Sequence, residues 1–585
     1  MEMNKTVPLR EVAHSRSGEK GNSSMVSVIA YDAKDYDILR DQITVEAVRK
    51  VYGSIARGPI HRYEVPSIGA LNFVMEEVLE GGRSRTLAFE ESGKALSSLM
   101  LTLPVEVPSG YVGRRDRDQS HPIETLAQPS GRSIRLGSAT AWSRDRFSAA
   151  RDLVDRGDLD YICFESMSEV TMSAAQVAKQ DTGRGGAAAM AYDPYLVDRL
   201  GPILKDCKEK GIRIISNQGW LDPVGAARRI KALADSLGLP GLKVAAVTGA
   251  DLTDRIADMG LKFLETGKPV ADAGASIVSA EVYLGCEGIV QALRDGADVV
   301  LTTRVADACL YLGPLAFEFG WPLGNHEKMA RGMVIGHLME CSAQLTGGYF
   351  ADPGYKDVPG LENLGSPIAE VWDDHIRLSK VPGSGGLLTP ATCKEQLLYE
   401  VGDPARYLAP DCVTNLGAVT FTQTARDEVA VHIGQLAGQK RPDTLKALVG
   451  IREGYMTEEM VIFAGPSSLQ RAKMTQDLLS KRFEAVNLKA QELRFDYLGL
   501  NGVHREATPP PGQDPYEVIL RVALKTQDPH EAEKLRKEID PLAVNGVAGT
   551  GKWATSAPGS RVRSVIGLSS CLVPRDCIET QVSIL

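Results

Sequence analysis

The sequence has no uninterrupted apolar run of about 18 residues, the length that a membrane-crossing helix needs. Its opening, MEMNKTVPLREV, lacks the apolar core of a secretory signal peptide. The nine cysteines are odd in number, widely spaced and contain no C-x-x-C pair, which speaks against a disulfide framework and against a zinc knuckle. No unit recurs at a fixed period. There is no cationic stripe either: 66 Lys and Arg are scattered among 75 Asp and Glu, for a formal charge of -9. These absences remove nucleic acid and membrane as partners and leave a cytoplasmic protein that acts on a small molecule, expected as a homo-oligomer.

The 585 residues suffice for about two to four domains with sizeable cores. In residues 1–108, strand-like runs at 8–13, 25–31, 60–65 and 85–89 alternate with helical patterns at 35–52 and 71–79, a compact α+β unit. Residues 109–132 mix Pro, Gly, Ser and charge without an apolar period and read as a linker. Its cations Arg114, Arg115 and Arg117 are interrupted by Asp116 and Asp118, the pattern of a solvated segment. From 133 to 355, apolar strands alternate with amphipathic helices, as in IRLGSA, DRFSAARDLVDRG and LDYICFE, which predicts an α/β core with a doubly wound parallel sheet. Strands at 277–284 and 298–303 are expected to close it. Residues 356–585 shift to period two in DEVAVHIGQL and YEVILRVALKT, with a long helix near 467–486 and a PPPGQDP break at 509–515, so a C-terminal α+β part is expected.

In such a sheet, ligands bind beyond the carboxyl ends of the strands. The loops there are polar: ESMSEVTM carries Glu165 and Glu169, SNQGWLDP carries Asn217, TGADL carries Thr248 and Asp251, and TTRVADA carries Arg304 and Asp307. Each loop taken alone can be turn and cap chemistry. With the loop from Ser138 to Ser143 they number five, and five together indicate a site. Arg304 offers a planar fork for a carboxylate or phosphate, or else pairs internally with Asp307. Downstream, GHLMECSAQLTGGYFADPG puts His337, Glu340, Cys341 and Gln344 on one helical face if the helix continues. His337 and Glu340 suit proton transfer, whereas Cys341 is either a nucleophile or a packing residue. A divalent metal held by His337 with Glu340, Asp307 or Glu169 is a further option, but the spacing matches no H-E-x-x-H pattern and no cofactor is assigned.

Residues 14–22, HSRSGEKGN, read as an anion-binding loop, with Arg16, Lys20 and Asn22 as the groups for a substrate. The glycine-rich PGSGGLLTP (382–390) and VNGVAGTGKWATS (544–556) could cradle an anion through backbone N–H groups, or simply turn the chain.

The stretches IRLGSATAW, LDYICFESMSEVTMS, GADVVLTTRVADACLYLGP, GHLMECSAQLTGGYFADPGYKDVPGL and PGSGGLLTPATCKEQLLYEVGDPARYLAPD resemble the acyclic terpene utilisation family, AtuA. AHSRSGEKGN and RGPIHRYEVPSIGALNFV resemble the ferredoxin-fold domain that usually follows that core, here placed first. The resemblance implies catabolism of a branched or β-hydroxy carboxylic acid or its coenzyme A thioester by a lyase or hydratase. Arg304, Asp307, Asn217, Gln344, Arg16, Lys20 and Asn22 would then bind substrate, and His337, Glu340, Cys341 and Glu169 would do chemistry. The alternatives are a thioester, ester or amide hydrolase using Cys341 and a non-catalytic subunit that binds an acyl-CoA or a partner. The reversed order carries its own expectation: Arg16 and Lys20 should reach the core site across a domain interface.

Overall fold

The computed structural model describes residues 4–117, 122–181, 191–435, 437–510, 513–553 and 562–585. Near the N-terminus, four antiparallel strands lie in the order Ala13–Lys20, Ser23–Ala30, Ala70–Met75 and Ile60–Val65. Helices Tyr36–Gln42 and Val45–Tyr52 cover one face and bury Leu39, Val48 and Tyr52 in a local core. The other face meets the rest of the molecule. There Ile29, Val65, Ile68 and Ala70 join the main core, and the buried Asn72 donates to the Val401 and Gly402 carbonyls at 2.8 Å each.

Three local expectations change here. HSRSGEKGN is not a loop but the strand Ala13–Lys20 running into a hairpin turn at Gly21, whose φ of 59° suits glycine. The 71–79 helix is replaced by the strand Ala70–Met75, because a short apolar run fits either period and the neighbouring strands decide. Residues 85–89 form no strand; Arg85 instead pairs with Glu453 and donates to the Leu568 carbonyl. Of the cations after it, Arg115 is exposed and lies over the Tyr355 ring, while the half-buried Arg114 stacks on Tyr31 and Arg117 pairs with Asp35 at 2.8 Å. Asp118 lies outside the described residues.

In the centre, five parallel strands lie in the order Ile134–Ala141, Tyr161–Glu165, Arg213–Ser216, Val299–Thr302 and Val244–Thr248. Strand alternation divides them between two cores, with Tyr161 and Cys163 on one side and Ile162 and Phe164 on the other. Helices Glu287–Arg294, Cys309–Glu318 and His326–Met339 pack on the first side, and Ser148–Arg156, Leu204–Lys210 and Pro223–Ser236 on the second.

A wholly parallel, doubly wound sheet is not what forms. Pro367–Val371, Ile376–Lys380, Glu428–Ile433 and Val419–Ala425 extend one edge antiparallel, and Gln581–Ile584 pairs antiparallel with Val244–Thr248 at the other, giving ten strands in a mixed sheet. The parallel order reverses only at its last pair. Period-two segments can join by hairpins, so strands beyond residue 355 reach the central sheet without crossover helices.

Ile277–Val282 leaves the central sheet. It pairs with the strand Thr444–Ala464, whose other partners are Glu517–Thr526, Thr550–Trp553 and Arg563–Pro574. Helices Ser468–Ala485 and Pro529–Ile539 pack on this second sheet. Strand pairing therefore crosses residue 355 in both directions. Among the described residues, no helix is long and apolar enough to cross a membrane.

Candidate active site

A cleft of about 960 Å³ opens where the N-terminal unit, the carboxyl ends of the central strands and the C-terminal sheet meet. Lys20, Asn22, Glu169, Arg304, Asp307, Glu340, Cys341 and Gln344 all line it, as do Glu165, Tyr399 and Glu400. The sheet topology accounts for this convergence, since Glu165 ends one parallel strand and Arg304 follows another by two residues.

Arg304 is 4% exposed, stacks over the Tyr283 ring at 4.2 Å and lies 3.6 Å from Asp307. Its Nε and Nη1 have no hydrogen-bond partner among the described residues. Burial opposes its charge, but Asp307, Tyr283 and Glu165 hold the guanidinium protonated. An ionised fork with two unpartnered donors beside a cleft can take an anion, since leaving it unpaired costs desolvation energy. Burial also pushes the Asp307 carboxyl up to about 6, with Glu340 adding to the rise and Arg304 opposing it.

Glu165 is buried on the cleft wall. Its Oε1 accepts from the Met167 amide at 2.6 Å and from Asn217 Nδ2 at 3.2 Å, and among the described residues Oε2 makes no hydrogen bond. Burial, then the neighbouring Asp307 charge, pushes this carboxyl well above the ordinary range. Asn217 is fully buried behind it and also accepts from the Ser166 amide at 2.8 Å. It orients Glu165 and does not itself line the cleft, contrary to the substrate contact expected of it.

The helix carrying His337 stops at Met339, and Ser342 takes a φ of 45° that no helix continues. The four-residue face expected over 337–344 is therefore broken. Glu340, Cys341 and Gln344 turn to the cleft, while His337, 2% exposed, stays behind them. His337 Nε2 lies 3.0 Å from the Leu397 carbonyl, and Nδ1 lies 3.2 Å from Glu340 Oε1. The His337 ring thus positions Glu340 and does not meet a ligand directly. Burial, then Glu340, pushes the Cys341 thiol up, away from the thiolate. Glu169 lines the mouth, 3.8 Å from Lys446. Among the described residues, no group of three or more His, Cys, Asp and Glu side chains is placed to hold a metal ion, so the set His337, Glu340, Asp307 and Glu169 does not assemble into one.

From the N-terminal strand, Lys20 pairs with Glu400 at 2.6 Å, and Arg16 donates to Gln344 Oε1 while stacking on Tyr399 at 4.0 Å. Arg16 is 3% exposed and braces the cleft wall from behind. Asn22 Oδ1 accepts from the Gly81 amide at 2.8 Å and holds the rim. Burial works against the charge on Glu400, but Lys20 and Lys94 hold its carboxyl down at about 2. Lys94 also binds Glu19 at 2.8 Å. The sequence reading assigned no role to Glu19, Lys94, Tyr399 or Glu400, because only the docking of the two units brings them together. Alternation along Ala13–Lys20 and the LLYEVGD stretch were the available signals. Of the glycine-rich segments, neither lines this cleft; residues 554–556 of the second lie outside the described residues.

A family model described as the acyclic terpene utilisation family protein AtuA matches residues 134–584, and the AtuA ferredoxin-like domain matches residues 7–106. No curated protein matches the chain.

Proposed function

The chain belongs to the acyclic terpene utilisation family, and from that premise we propose that it is a catabolic lyase or hydratase acting on a branched or β-hydroxy carboxylic acid, or its coenzyme A thioester. One observation carries the reading: two carboxyl groups, Glu165 and Glu340, share a cleft with a buried guanidinium that has open donors. Carboxyls in unlike surroundings can divide acid and base roles.

In the dehydration direction, Arg304 holds the substrate oxyanion and Glu340 takes the proton next to the carbonyl. The C–O bond to the β-carbon breaks, and Glu165 delivers its proton to the departing hydroxyl, which leaves as water. Charge on the enolate-like intermediate rests on the guanidinium fork. Hydration is the reverse. His337 keeps Glu340 oriented, and Asn217 does the same for Glu165.

The thiol hydrolase reading has less behind it, since the surroundings of Cys341 disfavour the thiolate a nucleophile needs. The binding-subunit reading leaves the open donors of Arg304 with a ligand but gives the raised Glu165 carboxyl nothing to do. Folded Glu165→Gln and Glu340→Gln proteins are each expected to lose about 10²- to 10⁴-fold in turnover, the usual worth of a positioned acid or base. Turnover at wild-type rates in both would refute the assignment.

A further inference from the structure

HSRSGEKGN and PGSGGLLTP meet at a place the cleft does not use. His14, from the first, and Leu387, Thr389 and Pro390, from the second, line a separate cavity of about 360 Å³. His14 Nδ1 donates to Glu395 Oε1 at 2.6 Å, and Lys356 Nζ binds the same oxygen at 2.8 Å. Burial pulls the His14 pKa down to about 4, so the ring is neutral and Lys356 balances Glu395.

The remaining charge is not balanced. Lys394 lines the cavity, and among the described residues its Nζ has neither a hydrogen bond nor an ion pair. Burial pulls this ammonium below the ordinary lysine range. Tyr31 also lines the cavity, its ring under the Arg114 guanidinium at 4.5 Å, and among the described residues its hydroxyl has no hydrogen-bond partner. Asp357 is the one acid in the lining, and its Oδ1 already accepts from the Gly354 amide. Lys394 and Tyr31 thus leave the walls with an ammonium and a hydroxyl that no acceptor among the described residues takes up. A ligand that fits must be acceptor-rich and anionic, and Phe350 and Pro390 give it an apolar flank.

We propose that this cavity is a second, non-catalytic binding site for a phosphate group, free or carried on a small organic molecule, with Lys394 and Tyr31 as its principal donors. The ammonium and the hydroxyl share the cavity lining with Ala391 in the first turn of helix Pro390–Leu397, a position whose N–H the helix's own ladder leaves unpaired. Because the lining comes from both units, an anion here also ties the N-terminal sheet to the core.

The test titrates the full-length protein with inorganic phosphate and with glycerol 3-phosphate at constant ionic strength, read by calorimetry, for wild type and for Lys394→Met, Tyr31→Phe and Arg304→Met. Saturable one-site binding is expected, weakened at least tenfold by Lys394→Met and several-fold by Tyr31→Phe, and unchanged by Arg304→Met. Tighter binding of glycerol 3-phosphate would identify an organic phosphate as the occupant, and equal or tighter binding of inorganic phosphate would identify the free ion. Absence of saturable binding to the wild type overturns the proposal. So does undiminished binding to Lys394→Met, or loss of binding in Arg304→Met, which would put the anion in the large cleft. The lyase reading is tested by turnover and stands or falls separately.

Discussion

Glu165 and Cys341 face the same cleft, and burial pushes both of their ionisations upward with opposite consequences. For the carboxyl it retains a proton that can be donated, and for the thiol it withholds the thiolate. Cys341→Ala is therefore expected to keep turnover within about threefold, well short of the loss that removing a covalent nucleophile causes. The Glu165 acid works only when protonated, so kcat should fall as pH rises through its elevated pKa. Glu165→Gln should lack that alkaline limb, which a pH profile of the two proteins would reveal; an unchanged limb in the variant would assign it to another group. Residue types at strand ends are legible in the sequence, and Arg304, Asp307, Glu169, Lys20 and Gln344 share one cleft. Side-chain direction was not readable. His337 and Asn217 lie behind the wall because a helix ends at Met339 and an amide turns toward Glu165, and neither event leaves a mark in residue spacing.

The helix His326–Met339 is held against Cys309–Glu318 through two glycines. A Cβ at Gly336 would collide with the Ala308 carbonyl oxygen, and one at Gly332 with the Leu312 side chain. Gly336→Ala should thus destabilise the protein by about 1–3 kcal/mol, the cost of overpacking, and should also lower turnover by moving Glu340 at the end of the helix. Urea melts paired with rates would check both, and an unaffected rate would show that Glu340 does not depend on this packing. The strand Ala13–Lys20 makes a prediction about pH. His14 has a folded pKa of about 4 against 6.5 unfolded, so the unfolded chain takes up the proton first as pH falls. The neutral ring contributes stability that is complete above pH 6.5 and lost as pH drops to about 4, a swing of roughly 3 kcal/mol. His14→Gln should flatten the stability profile across that window by a comparable amount; an equal slope in both proteins would contradict the burial of a neutral ring. Long elements with a clear period, such as the helix Ser468–Ala485 and the strand Glu517–Thr526, could be read from the sequence. The short run Ala70–Met75 could not, since tertiary pairing chose its form.

Across the whole molecule, the candidate cleft belongs to no single unit. The central sheet supplies Glu165 and Arg304, the turn after His326–Met339 supplies Glu340, the N-terminal strand supplies Lys20, and the C-terminal sheet closes the rim with Glu453 and Ser569. Placing the ferredoxin-like part first does not remove it from the site, because Asn72 and the Lys20–Glu400 pair seat it on the core. The family and its two matched parts could be recognised from long motifs. The mixed character of the ten-stranded sheet could not, because its antiparallel edges come from segments more than 200 residues downstream of the first central strand. The central claim is that this composite cleft adds or removes water, or cleaves a C–C bond, next to a carboxylate or its thioester. Mass spectrometry of the wild-type protein incubated with a panel of branched β-hydroxy acids and their coenzyme A thioesters tests it most directly, with Arg304→Met and Glu340→Gln as controls. The account predicts gain or loss of one water, or two cleavage fragments, from at least one compound with wild type and from none with either variant; product formed equally by all three proteins would contradict it.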